Sequence, residues 1–359
     1  MTYRLLALAA FAGVLFVPGA QASTARHEQQ PTLAQLVGQH LLVRMPGTRP
    51  SAAFLARIRR GEIGGVVLFG NNIPASGPAA LVDTLQSAAR AGKQLPLVIA
   101  VDQEGGVVKR LPGPPTKAPS AMASTTVAHA QGLATGRYLH RLGITVDLAP
   151  VLDTPVSPRA FIASRAFSEN PDVVAARGAA FIRGVDEGGT AATAKHFPGL
   201  GRLLANTDFA LGRVTASRTA LERDLVPFAA AVRAGAPAVL VGTAVYPAYG
   251  STLPAACSRS IVSGVLRGEL GFRGVAFSDD LDTAGVRKLL SPGEATVRAV
   301  QAGIDMVYVA GVGGSGGEAI GEQAYAALLQ AARSGRVSTA ELQASYARVE
   351  TLKQRFVVR

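Results

Sequence analysis

Residues 191–209 read Ala-Ala-Thr-Ala-Lys-His-Phe-Pro-Gly-Leu-Gly-Arg-Leu-Leu-Ala-Asn-Thr-Asp-Phe. The small apolar run from Ala191 to Ala194 has the character of a buried strand. Lys195 and His196 stand where that strand should end. Phe197-Pro198-Gly199 stops it, because proline cannot give an N–H to a ladder and glycine permits a sharp turn. The loop that follows carries Asn206 and Asp208. A capped strand end with a solvated loop would be the ordinary outcome. It does not account for a lysine on so apolar a strand, so the segment is read as a site.

The same rhythm repeats along the chain. Apolar runs at 41–45, 66–70, 97–102, 145–150, 191–197, 238–244, 275–280 and 305–310 alternate with helical patterns. Helices are predicted over 51–60, 78–91, 129–141, 173–186, 219–234, 261–270 and 293–302, with two more at 318–333 and 338–356. Gly92, Gly143, Gly235, Gly271 and Gly303 follow helices, as C-terminal caps should. Continuous apolar strands joined by crossover helices make a parallel sheet buried on both faces. Eight such units predict an α/β fold, a (β/α)8 TIM barrel in a single domain. An open doubly wound sheet is disfavoured, because Gly64-Gly65 precedes a strand and cannot be a dinucleotide loop.

Residues 1–22 are predicted to be a secretory signal and 23–359 the barrel domain. Arg4 supplies the positive start, Leu5 to Val17 the apolar stretch, and Ala20-Gln21-Ala22 the cleavage site. That stretch is too short to span a bilayer, which takes about 20 apolar residues. No stable membrane span is expected after cleavage, and the location implied is secreted or cell-envelope. The single cysteine, Cys257, excludes an internal disulfide and reads as a buried, inert thiol. The net charge of +12 is scattered over helices and not gathered into one stripe, which argues against nucleic acid and for an anionic envelope polymer. Nothing in the sequence calls for a metal or an organic cofactor.

In a barrel the chemistry lies at the C-terminal ends of the strands. Asp102, Asp147, Lys195-His196 and Asp279-Asp280 all fall at that end, on four different strands. Asp102 can accept two sugar hydroxyls, with Arg110 bracing it or donating to the ligand. A retaining glycosidase needs a nucleophile and a proton donor about 5 Å apart. Asp279 or Asp280 suits the first role, and strand periodicity does not choose between them. Asp208, Glu104 and His196 are candidates for the second. His27, His40, His129 and His140 fall in the N-terminal segment or on helices and read as satisfied or solvated.

Lys195-His196-Phe197-Pro198-Gly199-Leu200-Gly201, Val101-Asp102-Gln103-Glu104-Gly105-Gly106, Leu68-Phe69-Gly70-Asn71-Asn72 and Phe277-Ser278-Asp279-Asp280-Leu281 occur in this order. Leu148 to Asp153, Ser164 to Phe167 and Asp224 to Phe228 fit the same pattern. Over about residues 33–310 the chain resembles family 3 glycoside hydrolases, in particular bacterial single-domain β-N-acetylhexosaminidases that trim peptidoglycan fragments. The resemblance implies Asp279 as nucleophile. It implies that Asp102, Arg110, Arg165, Lys195 and His196 hold a terminal N-acetylglucosamine. The family's Asp-Ser-His triplet, whose histidine is the acid/base, is Asn206-Thr207-Asp208 here, so Asp208 is the expected proton donor. The second histidine of Lys-His-Phe-Pro-Gly-His-Gly is Leu200, and an expected alanine-histidine pair is Ala244-Val245.

The expected function is an exported retaining β-N-acetylglucosaminidase acting on small N-acetylglucosamine-containing cell-wall fragments. A β-glucosidase or phosphorylase of the same family is one alternative. A catalytically silent sugar-binding protein is another. The absence of tryptophan favours a pocket for one terminal sugar over a long polysaccharide groove.

Overall fold

The computed structural model describes residues 30–311 and 317–357. The proposed signal segment lies outside them. Eight parallel strands form the sheet: β1 Leu41–Arg44, β2 Gly65–Leu68, β3 Val98–Val101, β4 Val146–Asp147, β5 Ala191–Phe197, β6 Ala238–Val241, β7 Val275–Ser278 and β8 Val307–Val309. They pair in the order β8-β1-β2-β3-β4-β5-β6-β7. Phe277 bridges Met306 in parallel, and Leu281 N–H donates to the Tyr308 carbonyl at 3.0 Å, so β7 meets β8 and the sheet closes. The predicted TIM barrel is the observed fold.

Alternation along the strands sorts the core into two layers. Leu42, Val67, Val98, Ala100, Val146, Ala191, Leu240, Phe277 and Tyr308 pack inside the barrel. Val43, Val66, Ile99, Ala192, Ala194, Val239, Ala276 and Val307 face outward into the layer beneath the helices. Helices Ala52–Arg60, Ala79–Ala91, Thr125–Arg141, Pro171–Glu187, Arg218–Arg233 and Pro292–Ala302 lie close to the predicted ranges. Ser260–Glu269 also holds its expected place, as a π-type helix. A further short helix, Leu33–Gln39, precedes β1, closed by a Thr32–Gln35 capping box.

The predicted glycine caps divide into two kinds. Gly303 ends its helix in the left-handed region, at φ 108°, as the capping argument requires. Gly92 has φ −84° and is needed for another reason: a Cβ there would lie 2.1 Å from the Arg59 carbonyl oxygen of the neighbouring helix. Cys257 is buried, and burial pushes its thiol up to about 12, in keeping with an inert group.

Helix Thr339–Phe356 seals the end of the barrel where the strands begin. Val349, Leu352 and Phe356 join the inner core, and Lys353, only 3% exposed, donates to the Gln39 side chain at 2.5 Å and the Gly64 carbonyl at 2.9 Å. Asp305, just before β8, holds the same end by accepting from Arg267, Arg348, Ser345 and the Ala276 amide. The opposite end is left open for the strand exits.

Burial pushes the Lys353 amine down to about 7. A folded-state value below the unfolded one means the unfolded chain binds more protons between about pH 7 and 10.5, so stability should rise with pH across that window. Lys353→Met is expected to flatten that rise by on the order of 3 kcal/mol, measured by urea unfolding at pH 7 and pH 10. Parallel pH profiles for the two proteins would show that the amine is not desolvated.

Candidate active site

Four strand exits, those of β3, β4, β5 and β7, supply the charges. After β3, Asp102 leads into a hairpin, Gln103–Gly105 against Val108–Lys109, whose turn uses Gly105 and Gly106 at φ 89° and 64°. Gln103 shapes the loop. Its amide donates to the Leu111 and Pro114 carbonyls, and its side-chain oxygen accepts from the Arg110 and Leu111 amides. The Gln103 backbone N–H in turn donates to Asp147 at 3.0 Å.

Lys195, near the end of β5, lies between two carboxylates. Its Nζ is 2.7 Å from Asp102 Oδ1 and 2.7 Å from Glu104 Oε1. Arg165, on the turn Ala163–Arg165, grips Glu104 with two bonds of 2.9 and 2.6 Å. Arg110 approaches Asp102 at 3.5 Å. Burial alone would raise the Asp102 and Glu104 carboxyls, but Lys195 and the arginines outweigh it and hold both below the ordinary value. The same pairing outweighs the effect of burial on Lys195 and lifts its ammonium above the usual value. All four groups therefore stay charged in a nearly water-free setting.

His196 reaches the same cavity as Lys195, although neighbours on a regular strand face opposite ways. The β5–β6 register slips between Lys195 and Phe197, and such a bulge re-aims a side chain. Asp153 fixes the ring: its Oδ2 is 2.7 Å from His196 Nδ1, and its Oδ1 accepts from the Leu200 amide at 2.5 Å. Nε2 is left toward the cavity, 3.4 Å from Arg165.

The loop beyond β5 is fastened at several points. Gly201 packs on Thr154, where a Cβ would come 2.0 Å from the carbonyl oxygen. Arg202 binds Asp224 at 2.6 Å. Asn206 donates to Asp208 Oδ2 at 3.2 Å and accepts from the Asp208 amide at 3.0 Å. The Asp208 carbonyl accepts from the Ala284 amide at 3.1 Å, joining this loop to the segment that leaves β7.

The β7 exit separates the two aspartates that periodicity could not. Asp280 is 2% exposed, and its Oδ1 accepts from the Asp282 and Ala310 amides at 3.0 Å. Asp279 is less buried and accepts from the Asp280 amide at 2.9 Å. Burial raises the Asp279 carboxyl, and the Asp208 charge adds to the rise, while His196 and Lys195 act against it.

A cavity of about 330 Å3 is bordered by all seven residues singled out in the sequence: Asp102, Arg110, Arg165, Lys195, His196, Asp208 and Asp279. Two other expectations are corrected. Asp147 is wholly buried outside the cavity lining, where burial pushes its carboxyl well up. Glu104 is fully engaged by Lys195 and Arg165, with a side chain 1% exposed, so it cannot serve as a proton donor. Leu200, in place of a histidine, is buried against the cavity, and Ala244 and Val245 are core. The other described histidines bond elsewhere, His40 to the Leu36 carbonyl, His129 to Glu187 and His140 to the Gly189 carbonyl.

The sequence reading assigned no role to Asp153, Gln103 or Tyr308. Asp153 lay within a quoted motif, but its partner is 43 positions away. Tyr308 sits in an apolar run and reads as core, yet it also borders the cavity. The chemistry on offer is a charged hydroxyl clamp facing two carboxyls, Asp279 and Asp208, with an amide beside the second.

Comparison with known proteins agrees with this geometry. The family described as "Glycosyl hydrolase family 3 N terminal domain" matches residues 32–352. A Xylella fastidiosa protein named beta-hexosaminidase is 37% identical over 281 residues, 75% of this chain and 82% of that protein. An Arthroderma benhamiae protein named as an uncharacterized secreted glycosyl hydrolase is 31% identical over 335 residues, 90% of this chain and 94% of its own. The structure of a family 3 β-N-acetylglucosaminidase from Paenibacillus superposes with a TM-score of 0.86 at 34% identity, covering 90% of this chain and 62% of that longer one. The β-N-acetylhexosaminidase of Beutenbergia cavernae gives 0.81 at 32% identity, covering 90% and 99%.

Arg165→Ala is expected to leave half of the Glu104 carboxylate unpaired in a buried setting. A loss of about 3 kcal/mol in urea unfolding should follow, at the low end for a broken buried pair because Lys195 remains. Unchanged stability would mean that water already reaches Glu104.

Proposed function

Since the chain belongs to glycosyl hydrolase family 3 and is a glycoside hydrolase, we propose that it is an exported retaining β-N-acetylglucosaminidase. It removes terminal N-acetylglucosamine from small peptidoglycan-derived fragments through a glycosyl-aspartate. The observation that carries the reading is the arrangement of one cavity, with a hydroxyl clamp at one side and the Asp279–Asp208 carboxyls at the other. Export is supported by the character of residues 1–22 and by the secreted relative. An anionic wall substrate fits the net charge of +12.

In this mechanism Asp102, Lys195, His196, Arg110 and Arg165 hold the sugar hydroxyls and the substituents around them. Ionised Asp279 attacks the anomeric carbon while Asp208 gives its proton to the leaving oxygen. Asp208 then takes a proton from water, whose oxygen attacks the anomeric carbon and releases Asp279. Burial and the Asp208 charge raise the Asp279 carboxyl, while His196 and Lys195 act against that rise and favour its ionised form. Positive charge developing on the sugar favours ionised Asp279 and leaves the proton on Asp208, beside the Asn206 amide. An aspartate at position 206 would add a third negative charge and oppose this. The same two carboxyls repel a phosphate anion, which favours water as the acceptor.

Asp279→Ala is expected to abolish turnover, and a 2-deoxy-2-fluoro or 5-fluoro glycoside should label Asp279 in a peptide map. Label on Asp280 would overturn the assignment of the nucleophile.

Asp208→Ala should slow a natural disaccharide by about 10²–10⁴-fold while sparing the glycosylation step of an aryl glycoside with an activated leaving group, which needs little proton donation. Azide should rescue deglycosylation of the aryl glycoside, the step in which water has lost its base. Small and equal effects on both substrates would remove Asp208 from the acid role.

A further inference from the structure

A second cavity, of about 500 Å3, opens at the end of the barrel where the strands begin, and it shares no residue with the strand-exit cavity. It lies between helix Thr339–Phe356, the turn after helix Arg218–Arg233 and the loop that leads into β7. Its volume falls in the range of small-molecule sites. The floor is apolar, with Phe272, Leu352 and Phe356 each no more than 4% exposed. The rim is cationic: it carries Arg273, Arg348 and Arg355, and no described carboxylate lines it.

These guanidiniums are short of counter-charge. Arg348 donates to Asp305 Oδ1 at 2.9 and 2.8 Å, but Arg267 takes Oδ2 of the same carboxylate at 2.6 Å. Arg273 donates to the Arg267 and Phe272 carbonyls, at 3.1 and 3.4 Å, and to no described carboxylate. Arg355 lies over the Phe356 ring, 4.6 Å from its centre. The carboxyl whose charge acts on Arg355 is Asp186, and burial raises it to about 7, so at neutral pH it offsets that cation only in part. A guanidinium presents a planar fork of donors that matches a carboxylate. A purely apolar ligand would leave the cations of this rim unmatched, and a small anion would leave the floor in water.

We propose that this cavity binds a single-chain amphiphile with a carboxylate head, its alkyl chain on Phe272, Leu352 and Phe356 and its head among Arg273, Arg348 and Arg355. Both parts of the wall are then used: the chain takes apolar surface out of water, and the head supplies the missing negative charge. The cavity stands at the end opposite the catalytic site, so a bound amphiphile leaves the strand exits free. The inference goes beyond the glycosidase reading and stands apart from it.

The test is calorimetric titration of the full chain with decanoate, against decanol, which has the chain without the charge, and acetate, which has the head without the chain. One decanoate per protein is expected, bound about tenfold or more tightly than either comparator, with a raised melting temperature. Arg273→Gln and Arg355→Gln alter exposed side chains, so melting should verify an intact fold, and each should weaken decanoate about tenfold, the scale of a hydrogen bond to a charged group. No saturable binding of decanoate would overturn the proposal, as would arginine variants that bind like the wild type. Equal affinity for decanol would reduce the cavity to an apolar groove, and equal affinity for acetate to an adventitious anion site; either result overturns it. Deleting Val358 and Arg359 should leave the affinity unchanged, and a large gain would make the chain's own end the occupant instead. Capture by anionic phospholipid vesicles without binding of decanoate would make this face a membrane contact and likewise overturn the assignment.

Discussion

The site depends on one buried charge cluster: Lys195 between Asp102 and Glu104, with Arg165 holding Glu104 from the far side. Each member is costly to bury alone. Together they neutralise one another, and the short contacts satisfy most of their hydrogen-bonding capacity. Such a cluster adds little net stability compared with an apolar core of equal volume. What it provides is geometry, because a misplaced member leaves another uncompensated. The carboxyl edge of Asp102 and the Arg110 guanidinium remain partly exposed to the cavity, and these are the parts a sugar can use. Glu104 has a different task. It holds Lys195 and Arg165 at the cavity without bordering the cavity itself.

The barrel makes this cluster possible by closing the opposite end. Helix Thr339–Phe356 covers the strand starts, and Asp305 ties β7, β8 and that helix by accepting from four residues. Strand exits then carry side chains out of the packed interior into the cavity. Loops of unequal construction rise from those exits. The β3 hairpin is organised by a single glutamine, whereas the loop after β5 is tied to two neighbours, Asp224 and Ala284. Asp208 is held by backbone and amide contacts of its own loop, and its charge acts on Asp279.

Much of this was legible in the sequence, for physical reasons that can be named. Strand and helix alternation shows because the barrel buries both faces of every strand, leaving long apolar runs between caps. Asp102, Lys195, His196 and Asp279 show because polar groups at strand exits contrast with those runs, Arg110 and Asp208 stand in the segments that follow, and Arg165 shows only through the family resemblance. What the sequence hid depends on partners distant along the chain. Glu104 looked like a free acid because Arg165 stands 61 positions away. Asp147 looked like a member of the site because it ends a strand, yet it points into the core beneath Gln103. Asp153 had no signal of its own until His196 was seen against it. Tyr308 was hidden by an apolar neighbourhood that suits the inner layer of a barrel equally well.

The distribution of charge across the cavity ties these pieces to catalysis. On the clamp side, two carboxylates are matched by Lys195, Arg165 and Arg110, so that wall has no excess negative charge. On the other side lie Asp279 and Asp208, with Leu200 apolar against the cavity at the place of the family pattern's second histidine and Val245 buried in the core at the place of another. A glycoside bound between the two walls as proposed, with its anomeric carbon at Asp279, meets a field that grows more negative toward that carbon. Charge of the opposite sign develops there in the oxocarbenium-like transition state, and a preorganised carboxylate in a low-dielectric cavity stabilises it more than it stabilises the neutral ground state. With Asp208 as the proposed acid in place of a histidine, that gradient deepens at cleavage, since a carboxyl adds negative charge after its proton leaves and an imidazole does not. The proposed change of acid is thus also a change of field. A site built this way gains at bond cleavage what it would lose in attracting an anionic acceptor.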